Sequence, residues 1–252
     1  TVAGGGPFSL VDGTGNGWPA TYVQLIQPEG LAVDPYGNIY IRDPDIPPSV
    51  RLVTDSTGII STVAGITAYG PFPSNDPCSG GVSATSGAIT GSGLGLDPND
   101  DLYVAQDASG SDSSCVLLVS AATGQLSPVA GNGTPGYAGD KGAATAAELD
   151  GPTGVALDSS GDVYIVDLGN HLIREVTAST GIISTVAGGV RYVRCGPLLA
   201  HECPTLLPAG YNGDGGPAIE AELNGPQAVA LDSAGNVYIA DWGNNRIRVV
   251  GN

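Results

Sequence analysis

The chain has 252 residues, and although 40 are glycine and 19 are proline, 41 % are hydrophobic, which is enough for a folded core and excludes collagen and a disordered tail. Only 8 basic residues oppose 25 acidic ones, and the resulting net charge of −17 argues against nucleic acid and anionic membrane surfaces as partners. No apolar run approaches the roughly 18 residues that a membrane helix needs, so we expect no membrane insertion.

The first predicted element is a short strand at residues 1–5, Thr-Val-Ala-Gly-Gly, in a chain that contains no methionine. Because a newly translated chain begins with methionine, we expect a processed protein or a segment of a longer one. This strand stands apart from the repeated elements that follow it.

Four copies of one pattern come next, marked by aspartates that lie 63, 61 and 74 residues apart: Asp34, Asp97, Asp158 and Asp232. Each copy contains short segments rich in Val, Ile and Tyr, separated by turn sequences such as Asp-x-x-Gly and Thr-Gly, which predicts strands joined by tight turns. Three copies end in a further Val-Ala-Gly segment. Four strands per copy predict one blade of a β-propeller.

The best-preserved copies combine Gly-Pro-x-x-Val-Ala-Leu-Asp, Val-Tyr-Ile-x-Asp and a following Ile-Arg, at residues 151–174 and 225–248. This pattern resembles NHL repeats, and the Val-Ala-Gly segments and the connector 211–218 resemble those of bacterial secreted members of that family. The second copy departs from the pattern, because Leu117 stands where the later copies place Arg174 and Arg248, and Gln106 precedes Asp107. The resemblance implies a propeller, and propellers of this family often have six blades.

We therefore predict a single all-β propeller with blades at about 28–65, 93–131, 151–188 and 225–250, and with insertions at 66–92 and 189–224. The fourth blade has three strands of its own, and the strand at 1–5 matches the missing one. Pairing of residues 1–4 with residues 248–250 would close a four-bladed ring and leave no open sheet edge. The alternative is that the chain is a fragment of a larger ring.

The four cysteines form no Cys-x-x-Cys pair, and only two histidines are present, which favours disulfides over a zinc site. Disulfides indicate an oxidising compartment, so we expect an extracellular or cell-surface location. Cys195 and Cys203 flank one short loop and are expected to pair, which leaves Cys78 and Cys115 as the second pair.

In general blade geometry, the connectors between blades and the turns between second and third strands share one face, where binding sites on rigid scaffolds concentrate. Candidate ligand contacts on this face are Asp43, Asp107, Asp167, Asp241, Trp242 and Tyr211. We favour a structural role for the four aspartates, because each recurs once per blade and an aspartate at a strand end commonly caps a turn. Similarly, we expect the arginines that recur in the third strands to pair with an aspartate of a neighbouring blade rather than to contact a substrate: Arg51, Arg174 and Arg248.

Two aspartates in Gly-rich loops, Asp140 and Asp214, are weaker candidates for Ca²⁺, and no other cofactor is expected. The chain has no Gly-x-Ser-x-Gly or His-Glu-x-x-His motif, and it lacks the several histidines that hold the metal in NHL-family lyases. We predict a non-enzymatic module for recognition or assembly, including as the subunit of a surface polymer or filament, whose partners are further copies of itself, other extracellular proteins or glycans. The alternative is a secreted lyase or hydrolase that acts on a polysaccharide or peptide from the long-loop face.

Overall fold

The computed structural model describes residues 1–6, 15–44, 48–66, 77–106, 114–195, 201–206 and 208–251. For residues 190–195 and 201–206 it describes the backbone alone. The first sheet contains β1 (Leu31–Val33), β2 (Ile39–Asp43), β3 (Ser49–Thr54) and β4 (Ile59–Gly65). The second contains β5 (Gly93–Leu96), β6 (Leu102–Gln106), β7 (Ser114–Val119) and β8 (Leu126–Gly133). The third contains β9 (Pro152–Leu157), β10 (Val163–Asp167), β11 (Leu172–Thr177) and β12 (Ile182–Ala187).

A fourth sheet has three strands: β15 (Pro226–Leu231), β16 (Val237–Asp241) and β17 (Arg246–Val250). In all four sheets, strands that follow one another along the chain pair antiparallel. The prediction of an all-β fold built from antiparallel blades of the propeller type is confirmed. Between the third and fourth sheets, the insertion contains an antiparallel hairpin of β13 (Val190–Cys195) and β14 (His201–Leu206).

Single 3-10 turns occur in the connectors and after β16, at Ala20–Tyr22, Pro77–Ser79, Ala84–Ser86, Ala144–Ala146, Ala218–Glu220 and Trp242–Asn244. The connector turn that begins at Ala144 lies against the third sheet, because its first N–H donates to the carbonyl oxygen of Gly181 at 2.8 Å. Ala20 and Ala84 make the same bond to Gly58 and Gly124. Each connector is thus fixed to the outer edge of the blade that it precedes.

The turn between the first two strands of each blade is built around its marker aspartate. In the third blade, Oδ1 of Asp158 accepts hydrogen bonds from the N–H groups of Ser160 and Asp162, at 2.8 and 2.9 Å. The same pair of bonds recurs at Asp34, Asp97 and Asp232. An aspartate that bonds N–H groups two and four residues ahead stabilises a tight turn, which explains its recurrence.

The hydrophobic core lies between neighbouring sheets, where the third strand of one blade packs against the next blade. Val50, Val116 and Ile173 occupy equivalent third-strand positions, and all three are fully buried. The outer-strand alanines Ala64 and Ala130 are buried in the same interfaces. The innermost strands β1, β5, β9 and β15 lie side by side in that order.

The predicted pairing of residues 1–4 with β17 is not formed. Within the described residues, Thr1–Gly4 form no strand and β17 pairs with β16 alone. Instead, the N–H of Gly4 donates to the carbonyl oxygen of Ala20 at 3.0 Å, and Ala3 packs against the core of the first blade. Closure of a four-bladed ring is therefore not confirmed. In the part of the chain that the structure describes, the four sheets form a row whose two end faces are exposed.

One disulfide joins Cys78 in the first insertion to Cys115 in β7, with Cα atoms 6.0 Å apart. Both cysteines are buried in the core of the second blade. The side chains of Cys195 and Cys203 lie outside the described residues, so their pairing stays a prediction. No helix in the described ranges is both long and apolar enough to span a membrane.

Candidate functional site

The aspartates that end the second strands are buried anchors for the connectors. Oδ1 of Asp167 accepts a hydrogen bond from the N–H of Asp150 at 2.7 Å, and Oδ1 of Asp241 accepts one from Asn224 at 2.8 Å. Asp43 accepts the equivalent bond from Ile26. Asp167 and Asp241 have no solvent exposure, so their carboxylates support the fold and are not available to a ligand in this conformation.

Arginines of the third strands complete these anchors. The guanidinium of Arg174 lies 2.6 Å from Asp140 and 3.3 Å from Asp167, and it is itself fully buried. In the fourth blade, Arg248 lies 2.7 Å from Asp214 and 3.7 Å from Asp241. Each of these two arginines therefore joins its own blade to the connector before it. The prediction that they pair with an aspartate of a neighbouring blade is wrong for both.

The surroundings of Asp167 set its protonation. Burial raises the pKa of this carboxyl to about 6, although hydrogen bonds from Asp150 and Asn170 and the charge of Arg174 oppose the rise. The side-chain amide of Asn170 donates to Oδ2 at 2.9 Å. These hydrogen bonds fix the Asp167 carboxylate in place, and the Arg174 guanidinium balances its buried negative charge.

The second blade uses a different residue at the same position. Gln106 pairs with Cys115 in the second blade as Asp167 pairs with Leu172 in the third blade. Gln106 therefore occupies the position for which Asp107 was predicted. Oε1 of Gln106 accepts hydrogen bonds from the N–H groups of Thr90 and Gly91, while its Nε2 donates to Ala88. Asp107 lies outside the described residues.

Counting from the second-strand tyrosine would have found Gln106, because the conserved spacing is three residues in every blade: Tyr40 to Asp43, Tyr103 to Gln106, Tyr164 to Asp167 and Tyr238 to Asp241. The neutral amide also explains why Leu117 replaces an arginine in this blade. A glutamine side chain accepts and donates at once, so it needs no cation beside it.

Replacing Gln106 with alanine is expected to lower the free energy of unfolding by about 2–3 kcal/mol, because it leaves the N–H groups of Thr90 and Gly91 without their buried acceptor. Chemical denaturation measures this change. Gln125→Ala, at an exposed position, is the matched control and is expected to have little effect. Equal losses in the two variants would contradict the anchoring role of Gln106.

The two Ca²⁺ candidates are engaged by other groups of the protein. Asp140 contacts Arg174, accepts a hydrogen bond from Thr185 at 2.8 Å, and accepts another from Tyr137 at 3.0 Å. Asp214 contacts Arg248 and the hydroxyl of Tyr211. A cation at Asp140 would compete with Arg174, and one at Asp214 would compete with Arg248. Among the described residues, no group of three or more His, Cys, Asp or Glu side chains is arranged to hold a metal ion.

Trp242 and Tyr211 both lie on the fourth blade and its connector, and both are exposed. The guanidinium of Arg246 lies over the Tyr211 ring at 4.1 Å from its centroid. His171, in the turn between the second and third strands of the preceding blade, accepts a hydrogen bond from the N–H of Gly225 at 3.0 Å, so it holds a connector. The exposed candidates are thus confined to one end of the row of blades.

Sequence reasoning missed the exposed apolar residues at the two ends of the molecule. They lie on β1, β16 and β17: Leu31, Val33, Tyr238, Ile247 and Val249. Ile247 occupies the position of the buried Ile173, and Leu31 occupies that of the buried Val155. The sequence pattern therefore marks them as core, and only the arrangement of the sheets shows that they are uncovered.

Two family models match the chain. A model for the Teneurin NHL domain matches residues 111–205, and a model for the NHL repeat matches residues 223–250. Teneurin-4 of Mus musculus is 33 % identical over 255 residues, which cover 94 % of this chain and 8 % of the teneurin. Teneurin-1 of Caenorhabditis elegans is 28 % identical over 267 residues, which cover 96 % of this chain and 9 % of that protein. The chain spans less than a tenth of the length of these relatives.

Among solved structures, the chain is similar to an auxiliary nutrient binding protein from Bacteroides thetaiotaomicron, with a TM-score of 0.59 and 22 % sequence identity. The match covers 92 % of this chain and 49 % of that one. A similar protein from Bacteroides ovatus matches with a TM-score of 0.57 and 20 % identity, again over 49 % of its length. These likenesses concern the fold.

Proposed function

Because the chain belongs to the NHL-repeat family, we propose that it is a non-enzymatic binding module, and that the uncovered faces of its first and fourth blades contact further protein, either other blades of a longer chain or separate partners. We call these two surfaces the end faces. The first-blade end face contains Leu31 and Val33, and the fourth-blade end face contains Tyr238, Ile247 and Val249.

The observation that carries this proposal is the contrast between the end faces and the same positions inside the row. Ile247 is 72 % exposed, whereas its counterpart Ile173 is 0 % exposed because the fourth blade covers it. Leu31 is 64 % exposed, whereas its counterpart Val155 is 6 % exposed against the second blade. Exposed apolar surface of this kind marks a protein interaction site.

The candidate ligand face supports binding rather than catalysis. Its buried aspartates anchor connectors, and the two loop aspartates face arginines. Catalysis by paired carboxylates needs at least one that is free to reach a substrate. The enzymatic alternative, a lyase or hydrolase that works from this face, predicts product release from soluble polysaccharides or peptides incubated with the purified chain.

An extracellular or cell-surface location forms part of the proposal. The disulfide between Cys78 and Cys115 supports it, because disulfides persist in oxidising compartments. The role as subunit of a surface polymer or filament is the assembly form of the same proposal.

Hydrogen–deuterium exchange tests the proposal on the chain in its native extracellular material and on the same chain purified and diluted. We expect backbone amides of β1 and of β16–β17 to exchange more slowly in the native material, because a partner covers the end faces. The internal strand β10 serves as the control, since it is covered in both samples. Equal exchange at both end faces, or turnover of a polysaccharide or peptide, would contradict the proposal.

A further inference from the structure

The sequence contains four Asn-Gly pairs, at 16–17, 132–133, 212–213 and 224–225, and the structure describes all of them. An asparagine that precedes a glycine can lose its side-chain amide without an enzyme, when the glycine nitrogen attacks the asparagine Cγ and a cyclic succinimide forms. Glycine favours this step because it has no side chain to hinder the approach of its nitrogen. In a folded protein, the rate depends on how the structure holds the nitrogen and the Cγ relative to each other.

Two of the pairs hold the glycine nitrogen in a hydrogen bond to another element. The N–H of Gly17 donates to the carbonyl oxygen of Ile60 in β4 at 2.9 Å. The N–H of Gly225 donates to Nδ1 of His171 at 3.0 Å. Both bonds direct the glycine nitrogen away from its own asparagine side chain, so they have to break before a succinimide can form.

In the third pair, the asparagine side chain is directed past its glycine. Oδ1 of Asn132 accepts a hydrogen bond from the N–H of Thr134 at 2.8 Å, which is one residue beyond Gly133. Gly133 is buried at the end of β8, where it pairs with Ser114. The sheet therefore restrains the backbone that would have to move toward Cγ.

The pair Asn212–Gly213 is arranged for the reaction. The N–H of Gly213 donates to Oδ1 of its own neighbour Asn212 at 2.8 Å. Because Cγ is bonded to this oxygen, the carbon that is attacked lies beside the nitrogen that attacks it. Gly213 has φ of 91°, a left-handed conformation that favours glycine. The loop thus holds the two reacting groups close together before the reaction begins.

The backbone of Asn212 is fixed on its other side. Its carbonyl oxygen accepts hydrogen bonds from Nη2 of Arg248 at 3.0 Å and from the N–H of Glu222 at 3.2 Å. These bonds leave the asparagine side chain free of restraint from β16 and β17, and its exposed position gives water access to it. Only the side chain has to turn for Cγ to meet the nitrogen.

Exposure at this position is a property of the connector. The third blade has the equivalent sequence Tyr-x-Gly-Asp at 137–140, and there Ala138 and Gly139 occupy the positions of Asn212 and Gly213. Gly139 is exposed and Ala138 is only partly buried, although the third blade has all four of its strands. Water therefore reaches this part of the connector beside a complete blade.

We propose that Asn212 is a site of spontaneous deamidation. The Gly213 nitrogen forms a bond to Cγ, and the side-chain amide leaves as ammonia, which carries away the proton that the nitrogen loses. Water then opens the succinimide at either of its two carbonyl carbons. Opening at Cγ gives aspartate, and opening at the main-chain carbonyl carbon gives isoaspartate. The overall reaction consumes one water and releases one ammonia, and it needs no oxidant, reductant or enzyme.

Both products change the surroundings of Arg248. Aspartate at this position adds a negative charge to the loop that contains the Arg248 partner Asp214. In isoaspartate, the chain runs through Cγ, so the carbonyl that accepts from Arg248 becomes a free carboxylate and the main chain gains a methylene group. The modification is therefore expected to alter the connector that precedes the fourth blade.

Peptide mapping by mass spectrometry tests the proposal on the full chain, incubated at mildly alkaline pH in water labelled with heavy oxygen. We expect Asn212 to take up the label about tenfold faster than the other three asparagines, because its reacting groups are already oriented. The product should contain isoaspartate as well as aspartate. The same chain unfolded in urea is the control, and there the four rates should converge because the contacts that distinguish the pairs are lost.

Two outcomes overturn the proposal. One is uptake at Asn212 that is no faster than at the other pairs of the folded chain. The other is a product without isoaspartate, because direct hydrolysis of the amide gives aspartate alone. Asn212→Gln lengthens the side chain and disfavours ring closure, so uptake at this position should fall to that of the other pairs or below; unchanged uptake also contradicts the proposal. Asn132→Gln is the matched control and should leave the rate at Asn212 unchanged.

Discussion

Replacing Arg174 with leucine is expected to lower the free energy of unfolding by about 3–5 kcal/mol. The guanidinium is fully buried between Asp140 and Asp167, and its loss leaves the buried carboxylate of Asp167 without a cation. Removing one partner of a buried ion pair costs far more than removing both, because the remaining charge has lost its solvation and its counterion. Urea denaturation of the purified chain measures the difference.

Arg248→Leu is the matched control for this substitution. Arg248 occupies the same position in the fourth blade, but its nearer partner Asp214 is 60 % exposed and the buried Asp241 is 3.7 Å away, so we expect a smaller loss than for Arg174→Leu. The double substitution Arg174→Leu/Asp167→Gln imitates the second blade, which has Leu117 and Gln106 at these positions, and should recover part of the loss. A defect in Arg174→Leu no larger than in Arg248→Leu would show that the buried pair is not a major anchor.

The pH dependence of stability gives a further check on the same site. The pKa of Asp167 is raised to about 6 in the folded chain, above the roughly 3.9 of an unfolded aspartate. The folded state therefore holds this proton more tightly, so the contribution of Asp167 to stability is full below about pH 4 and is lost as the pH rises through about 6. The defect of Arg174→Leu should accordingly shrink on acidification, because a neutral carboxyl tolerates burial without a cation.

Removing the disulfide by Cys78→Ala/Cys115→Ala is expected to cost about 4 kcal/mol. The two cysteines are 37 residues apart, and a cross-link across a loop of this size reduces the entropy of the unfolded chain by about that amount. The loop contains the later part of the first insertion, and the 3-10 turn at Pro77–Ser79, which includes Cys78, packs on β8. Thermal and denaturant unfolding of the oxidised parent and the double variant provide the measurement.

A conservative control separates the cross-link from packing. The parent chain treated with a reductant keeps both sulfur atoms in the core, so its loss should approach that of the double variant. If the double variant unfolds at the denaturant concentration of the parent, the disulfide does not constrain the unfolded state. A large loss in the double variant with none on reduction would assign the effect to the cavity left at Cys115, which is fully buried.

Much of each blade follows from local sequence. Alternating Val, Ile and Tyr between Asp-x-x-Gly turns predicted the strands, and the structure has them in the predicted order. Prediction was weaker where one position carries different chemistry in different blades. Gln106 performs in the second blade what an aspartate and an arginine perform in the third, and a search for repeated aspartates selected its neighbour Asp107 instead.

The candidate site was predictable in composition but not in role. The sequence placed Asp167 and Asp241 at strand ends on the connector face, and the structure shows that both are buried and bonded to connector N–H groups. That role depends on a partner 17 residues upstream. A contact at such a distance is set by how the connector passes over the blade, which no local pattern contains.

The sequence by itself determined the all-β architecture and the four-strand repeat, because strand and turn preferences act over a few residues and repeat with the blade. Only the tertiary structure decided which apolar faces are covered. Ile173 and Ile247 have the same local sequence signal, yet one lies beneath the next blade and the other at the end of the row. Burial depends on which sheet stacks against a residue, so the same kind of side chain is core in one blade and exposed in another.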